Sequence, residues 1–179
     1  MMKKTTVVDG QSVVLVGHGA IPKDYPRELV TQLRRLEADR RMSGAAPSPL
    51  EIELETRLRR WPRTPQNDPY QAGLEALASS IRLLLPQVSL RVAYLEFCAP
   101  TLEEAVEKAL LDGVRHIVVI PSMLTAGGVH SEVDIPAILE QLSQRHPTVE
   151  LRYAWPFEQP LIAQMLVTHL EEFLTPIVS

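Results

Sequence analysis

Ser12-Val13-Val14-Leu15-Val16-Gly17-His18-Gly19-Ala20 reads as a strand, apolar after its first residue, that halts on a glycine and delivers one imidazole. A continuous apolar run of this length belongs to a strand covered on both faces, as in a parallel sheet flanked by helices. Gly17 and Gly19 carry no side chain, so backbone or ligand can come close to the His18 ring. In an open α/β sheet, ligands gather beyond the carboxyl ends of the strands, and this ring lies there. Taken alone, His18 could instead do no more than satisfy a turn.

The rest of the chain repeats the pattern. Ser89 to Phe97, His116 to Pro121 and Val149 to Ala154 read as three further strands. Between and after them, Gln71 to Leu85, Thr101 to Leu111, Pro136 to Arg145 and Pro160 to Leu174 carry helical periodicity. Thr101-Leu102-Glu103-Glu104 has the spacing of a capping box. Strands alternating with helices predict a mainly parallel sheet with right-handed crossovers. The expected architecture is an α/β, flavodoxin-like three-layer fold with a four-stranded parallel sheet. One domain spans residues 1–179.

Residues 21–68 interrupt this alternation as a helical insertion. Two amphipathic patterns, Pro26 to Arg41 and Pro49 to Arg60, flank a loop from Met42 to Ser48. The segment leaves through Trp61 to Tyr70, whose three prolines predict an extended, stiff connection. Directly after His18, it could form a lid over the site, or a helical hairpin that is decorative or joins subunits. Arg57, Arg59, Arg60 and Arg63 around Trp61 form the densest cationic cluster. They suit recognition of a polyanion, or i,i+4 pairing such as Glu55–Arg59 and Glu53–Arg57.

A second histidine loop follows the third strand: Pro121-Ser122-Met123-Leu124-Thr125-Ala126-Gly127-Gly128-Val129-His130-Ser131-Glu132-Val133-Asp134-Ile135-Pro136. Gly127 and Gly128 precede His130 as Gly17 precedes His18. Pro136 suits a first helical turn, with Asp134 or Ser131 as its N-cap. If the first and third strands are neighbours, the two imidazoles face each other across the topological switch point. Neutral imidazoles suit Zn, Cu, Fe, Ni and Co, and two of them leave coordination positions open. Imidazole also accepts protons near neutral pH. Glu96, at the end of an apolar strand, must be solvated, paired or employed there. Tyr94 either lines the same pocket or packs in the sheet. Cys98, without a cationic neighbour in sequence, reads as a small buried thiol. His116, His146 and His169 read as structural or solvent-facing.

Composition narrows the possibilities. A net charge of −4 argues against a general nucleic-acid binder. More than half of the 18 Lys and Arg fall between Ile21 and Tyr70, a basic segment on an acidic body. With one cysteine, no intrachain disulfide forms and a reducing, cytoplasmic compartment is expected. The basic start, Met1 to Thr6, is followed by no apolar signal core, and no run approaches the ~20 apolar residues of a membrane span. No Walker-type loop for a nucleotide is present.

Three segments together resemble the small class II chelatases of the sirohydrochlorin cobaltochelatase/ferrochelatase (CbiX-like) family. They are Leu15 to Gly19, Tyr94 to Ala105, and Gly113 to Pro121 with its continuation through Gly128-Val129-His130 to Asp134-Ile135-Pro136. Pro156-Phe157-Glu158-Gln159-Pro160-Leu161 is similar to the family's last loop and helix. The resemblance implies insertion of Co²⁺, Fe²⁺ or Ni²⁺, as substrate, into a sirohydrochlorin-type tetrapyrrole without ATP or any other nucleotide, in cobalamin or siroheme biosynthesis. It implies that His18 and His130 bind the metal and accept the pyrrole protons, with Glu96 assisting. Gly17, Gly19, Gly127, Gly128 and Tyr94 would line the tetrapyrrole site. A homodimer with the tetrapyrrole between its halves is also implied. Two departures stand out: the long segment after the first histidine loop, and Ala20-Ile21-Pro22 where the family carries Ser or Arg. Competing expectations are a non-catalytic metal- or tetrapyrrole-delivery protein and a phosphohistidine phosphatase. The latter lacks its clamping arginine, since Gly17 stands in that place.

Overall fold

A computed structural model describes residues 10–174, so the basic start of the chain lies outside the described residues. Strands β1 (Gln11–Gly17), β2 (Ser89–Tyr94), β3 (His116–Pro121) and β4 (Glu150–Tyr153) form one parallel sheet in the order β2-β1-β3-β4. The expected neighbours, first and third strand, are paired: Leu15 stands opposite Ile120 and Val16 opposite Pro121. On its other side β1 ends with Gly17 opposite Tyr94. Three chain segments therefore leave the sheet at one edge, beside the switch point.

Period-2 alternation sends successive β1 side chains to opposite layers. Val14 and Val16, with Ala93, Ile117 and Val119, pack against helices α4 (Leu102–Leu111) and α5 (Ile135–Arg145). Leu15, Val92 and Tyr94 pack against α3 (Pro69–Leu84) through Leu74 and Ala78. The three-layer reading holds. The capping box of α4 is formed in both directions between Thr101 and Glu104.

Helices α1 (Arg27–Ser43) and α2 (Pro49–Arg59) build a small core of their own from Tyr25, Leu33, Leu54 and Leu58. Partly buried Phe97 joins that cluster and ties it to the loop after β2. Ser48 caps α2 by accepting from the Glu51 amide, and Asp68 caps α3 by accepting from Gln71. The connection from Trp61 to Tyr70 is not the extended strut its prolines suggested. Asn67 folds it: its side chain accepts from the Thr64 amide and donates to both Asp24 carboxylate oxygens and to the Pro62 carbonyl. Side-chain amides that replace backbone partners favour turns over extended chain.

Two boundaries moved by three or four residues. β2 ends at Tyr94 rather than Phe97, because residues 95–100 loop out and return, with Tyr94 bridging to Thr101. Phe97 adopts a positive φ of 59° in that loop. Helix α6 (Gln159–Leu170) stops four residues before the expected Leu174 and contributes no buried residue. Among the described residues, no helix is long and apolar enough to cross a membrane.

Candidate metal centre

His18 stands on the first residue beyond β1, and its glycine neighbours are there for space. A Cβ on Gly17 would overlap Leu74, and one on Gly19 would overlap the Glu96 carbonyl oxygen. Gly19 also holds φ at 94°, a conformation L side chains rarely adopt. This close approach lets the Glu96 amide donate to the His18 carbonyl at 2.8 Å and the Leu95 amide to Gly17 at 3.0 Å. The two loops are thereby stitched together.

The imidazoles meet across the switch point. Their ring centroids lie 4.7 Å apart, nearly edge to face at 76°. Glu96 Oε2 approaches His18 Nε2 to 3.8 Å. One ligand atom from each of His18, Glu96 and His130 falls within 4.8 Å of the others. His18 and Glu96 are 40% and 42% exposed and His130 is 28% exposed, so the group is open to a large partner.

Each ring is oriented by its Nδ1. His18 Nδ1 lies 2.8 Å from the Gly19 carbonyl, which can only accept, so Nδ1 carries a proton and Nε2 is the lone-pair nitrogen of the neutral ring. His130 Nδ1 lies 2.6 Å from Asp134 Oδ2. A carboxylate behind a histidine fixes tautomer and ring angle and raises ligand basicity. Asp134 stands at the N-cap position of α5 but its side chain makes no capping hydrogen bond, and the helix is preceded by a π turn, His130–Asp134, that contains Ser131. The Ile135 amide bonds back to the His130 carbonyl, the i→i+5 bond of that turn. Glu132 braces the glycine loop, accepting from the Gly127 amide at 3.1 Å and from Trp155 Nε1 at 3.3 Å. Gly127 and Gly128 are exposed beside the centre.

Tyr94 belongs to the core, 1% exposed and packed with Leu74, Ala78 and Cys98. Burial pushes its phenol well above the usual range. Cys98 is likewise buried, and burial pushes its thiol up against the pull of Arg63. The small buried thiol expected from sequence is found, with the Gln71 side-chain amide donating to its sulfur at 3.5 Å.

The arginine cluster is spent on structure. Arg59 pairs with Glu55 at 2.8 Å and donates to the Cys98 and Leu95 carbonyls. Arg60 pairs with Glu104 at 2.7 Å, and the Arg57 guanidinium lies over Trp61 at 6.0 Å. Arg63 is nearly buried. It pairs with buried Asp68 and donates to Phe97, Leu58 and, at 2.8 Å, Ala20 carbonyls. An arginine thus reaches the first histidine loop after all, brought from the far side of α2. Tyr70 completes the clamp by accepting the His18 amide proton at 2.8 Å. Asp134, Arg63, Asp68 and Tyr70 were not singled out for the site from sequence. Only Asp134 had a local signal, its i,i+4 spacing from His130. The remaining histidines stand apart: His116 faces Glu150 at 2.8 Å, His146 faces Glu107 at 2.9 Å, and His169 lies against Phe173.

Two imidazoles and a carboxylate with open positions around them match the donor set that divalent transition metals take. A family model described as CbiX matches residues 66–173, which include Glu96, His130 and Asp134. The chain belongs to the CbiX family. The sirohydrochlorin cobaltochelatase of Methanopyrus kandleri is 41% identical over 66 residues, 37% of this chain and 46% of that protein. The sirohydrochlorin ferrochelatase of Priestia megaterium is 32% identical over 82 residues, 45% of this chain and 30% of that protein. This CbiX-family chain thus matches less than half the length of those curated relatives. A CbiX protein of Marinobacter aquaeolei VT8 shares the fold, with a TM-score of 0.52 and 21% identity over 91% of this chain and 93% of that one.

Proposed function

We propose that the protein inserts a divalent transition metal (Co²⁺, Fe²⁺ or Ni²⁺) into sirohydrochlorin or a related tetrapyrrole, without ATP. The observation that carries this reading is the meeting of His18, Glu96 and His130 donor atoms within 4.8 Å at the open rim of the sheet. In that reaction M²⁺ enters the macrocycle and two pyrrole N–H protons leave, so the site must release a cation and accept protons. His18 and His130 keep Nε2 for both tasks, since Gly19 and Asp134 occupy the other nitrogens. Glu96 holds the third coordination position and takes a share of the incoming charge. Three ligands bind loosely enough for transfer where a closed four-ligand site would retain the metal.

The macrocycle lies between two copies of the chain in a homodimer. What supports this is α6, whose Leu161, Met165, Leu166 and Leu170 are each half exposed or more, an apolar surface that ordinarily marks an interface. The family match begins at residue 66, just past the helical pair, which supports reading residues 21–68 as an insertion.

The test is a nucleotide-free assay of purified protein with sirohydrochlorin and Co²⁺, followed by the absorbance change of metallation. Turnover is expected in the wild type and is abolished in His18→Ala, whose circular dichroism and melting curve stay native. Stoichiometric binding of metal or macrocycle without turnover would assign delivery instead.

A further inference from the structure

A cavity of about 500 Å³ lies between the helical pair and the loop after β2, and Glu96 and Phe97 form part of its wall. It therefore adjoins the metal centre, since Glu96 belongs to both and the Phe97 ring lies 6.0 Å from that of His18. Its opposite wall is one stripe of α1, with Arg34, Glu37 and Arg41 at helical spacing. Arg34 and Arg41 are exposed and form no ion pair among the described residues, unlike Arg59 deeper in the same cavity. The floor is apolar, from Leu33, Leu58 and Leu95.

We propose that this cavity is a subsite for a carboxylate-bearing arm of the macrocycle, with Arg34 and Arg41 as its recognition pair. The inference rests on the reading of the site as tetrapyrrole-binding and adds the element that selects for an anionic periphery. The physical need is plain. Glu96 belongs to the metal centre and Asp134 backs His130, and a ring edged with acetate and propionate groups is repelled by them unless cations stand nearby. Guanidinium groups meet carboxylates in a bidentate fashion, and a pocket with an apolar floor and a few placed charges is the usual form of a small-molecule site. The other cations at this rim are committed: Arg59 and Arg63 spend their donors on carboxylates and backbone carbonyls. Glu37 stands between the two arginines; burial pushes its carboxyl up, and the nearby Arg41 charge pulls it back down.

The test is an equilibrium titration of the full chain with sirohydrochlorin, read by quenching of tryptophan fluorescence. Arg34→Gln/Arg41→Gln is compared with wild type and with Arg35→Gln on the same helix outside the cavity. The double variant binds about tenfold more weakly, the scale of two charge-assisted contacts at a partly exposed site; Arg35→Gln binds as wild type. The methyl ester of the macrocycle, whose arms are neutral, binds wild type and double variant equally. Equal sirohydrochlorin binding by wild type and double variant, or an ester that is affected as much as the acid, would overturn the subsite. Turnover with Co²⁺ is measured separately. A wild type that binds the macrocycle through these arginines but never metallates it retains the subsite and refutes catalysis. A wild type that does not bind it refutes both.

Discussion

Asp134 shows how one carboxylate converts a loop histidine into a directed ligand. Its bond to His130 Nδ1 leaves Nε2 available as the ring's other ligand atom. Asp134→Asn keeps the shape but loses the charge behind the ring, and is expected to weaken Co²⁺ binding about 10- to 100-fold in calorimetry, with little change in melting temperature. Gly19 is the opposite case, a residue whose absence of side chain is its contribution. Gly19→Ala forces both a rare φ and a collision with the Glu96 carbonyl, so a loss of roughly 1–3 kcal/mol is expected in urea unfolding. Cys98 yields a pH prediction. Its folded-state thiol is pushed up by burial, so the unfolded chain ionises first as pH rises. Stability then falls from the ordinary thiol range upward, and Cys98→Ala flattens that part of the profile of melting temperature against pH. The native thiol is also expected to resist Ellman's reagent until denaturant is added.

Among the elements, the exit from α2 into α3 has the largest structural task. Arg63 and Asp68 are a nearly dry ion pair whose guanidinium grips three carbonyls in three segments: Ala20, Leu58 and Phe97. Removing one member of such a pair strands the other charge in a low dielectric. Arg63→Met is therefore expected to cost about 3–5 kcal/mol in urea unfolding, and Arg63→Met/Asp68→Asn to recover part of it. The helix and strand cores in this region were legible, because periodicity is written along the chain. The fold of Trp61 to Tyr70 was not, since its turn depends on Asp24, across the gap spanned by two helices.

For the whole molecule, the exposed apolar face of α6 bears on the proposed assembly. The proposed dimer predicts twice the chain mass in sedimentation equilibrium, and Met165→Glu, on a half-exposed position of α6, shifts the population toward monomer. A mass of one chain at assay concentration, together with full turnover, would remove the dimer from the proposal.

Alternating apolar strands and amphipathic helices were enough to specify a parallel α/β sheet, and the Gly-His-Gly run marked where its chemistry should lie. Those features are local: burial on two faces and freedom at a glycine are properties of a few consecutive residues. The convergence of His18 with His130 and the delivery of Arg63 to Ala20 depend on strand order and loop packing. Partners so distant along the chain leave no periodic trace in it, and only closure of the fold brings them within reach of one ion.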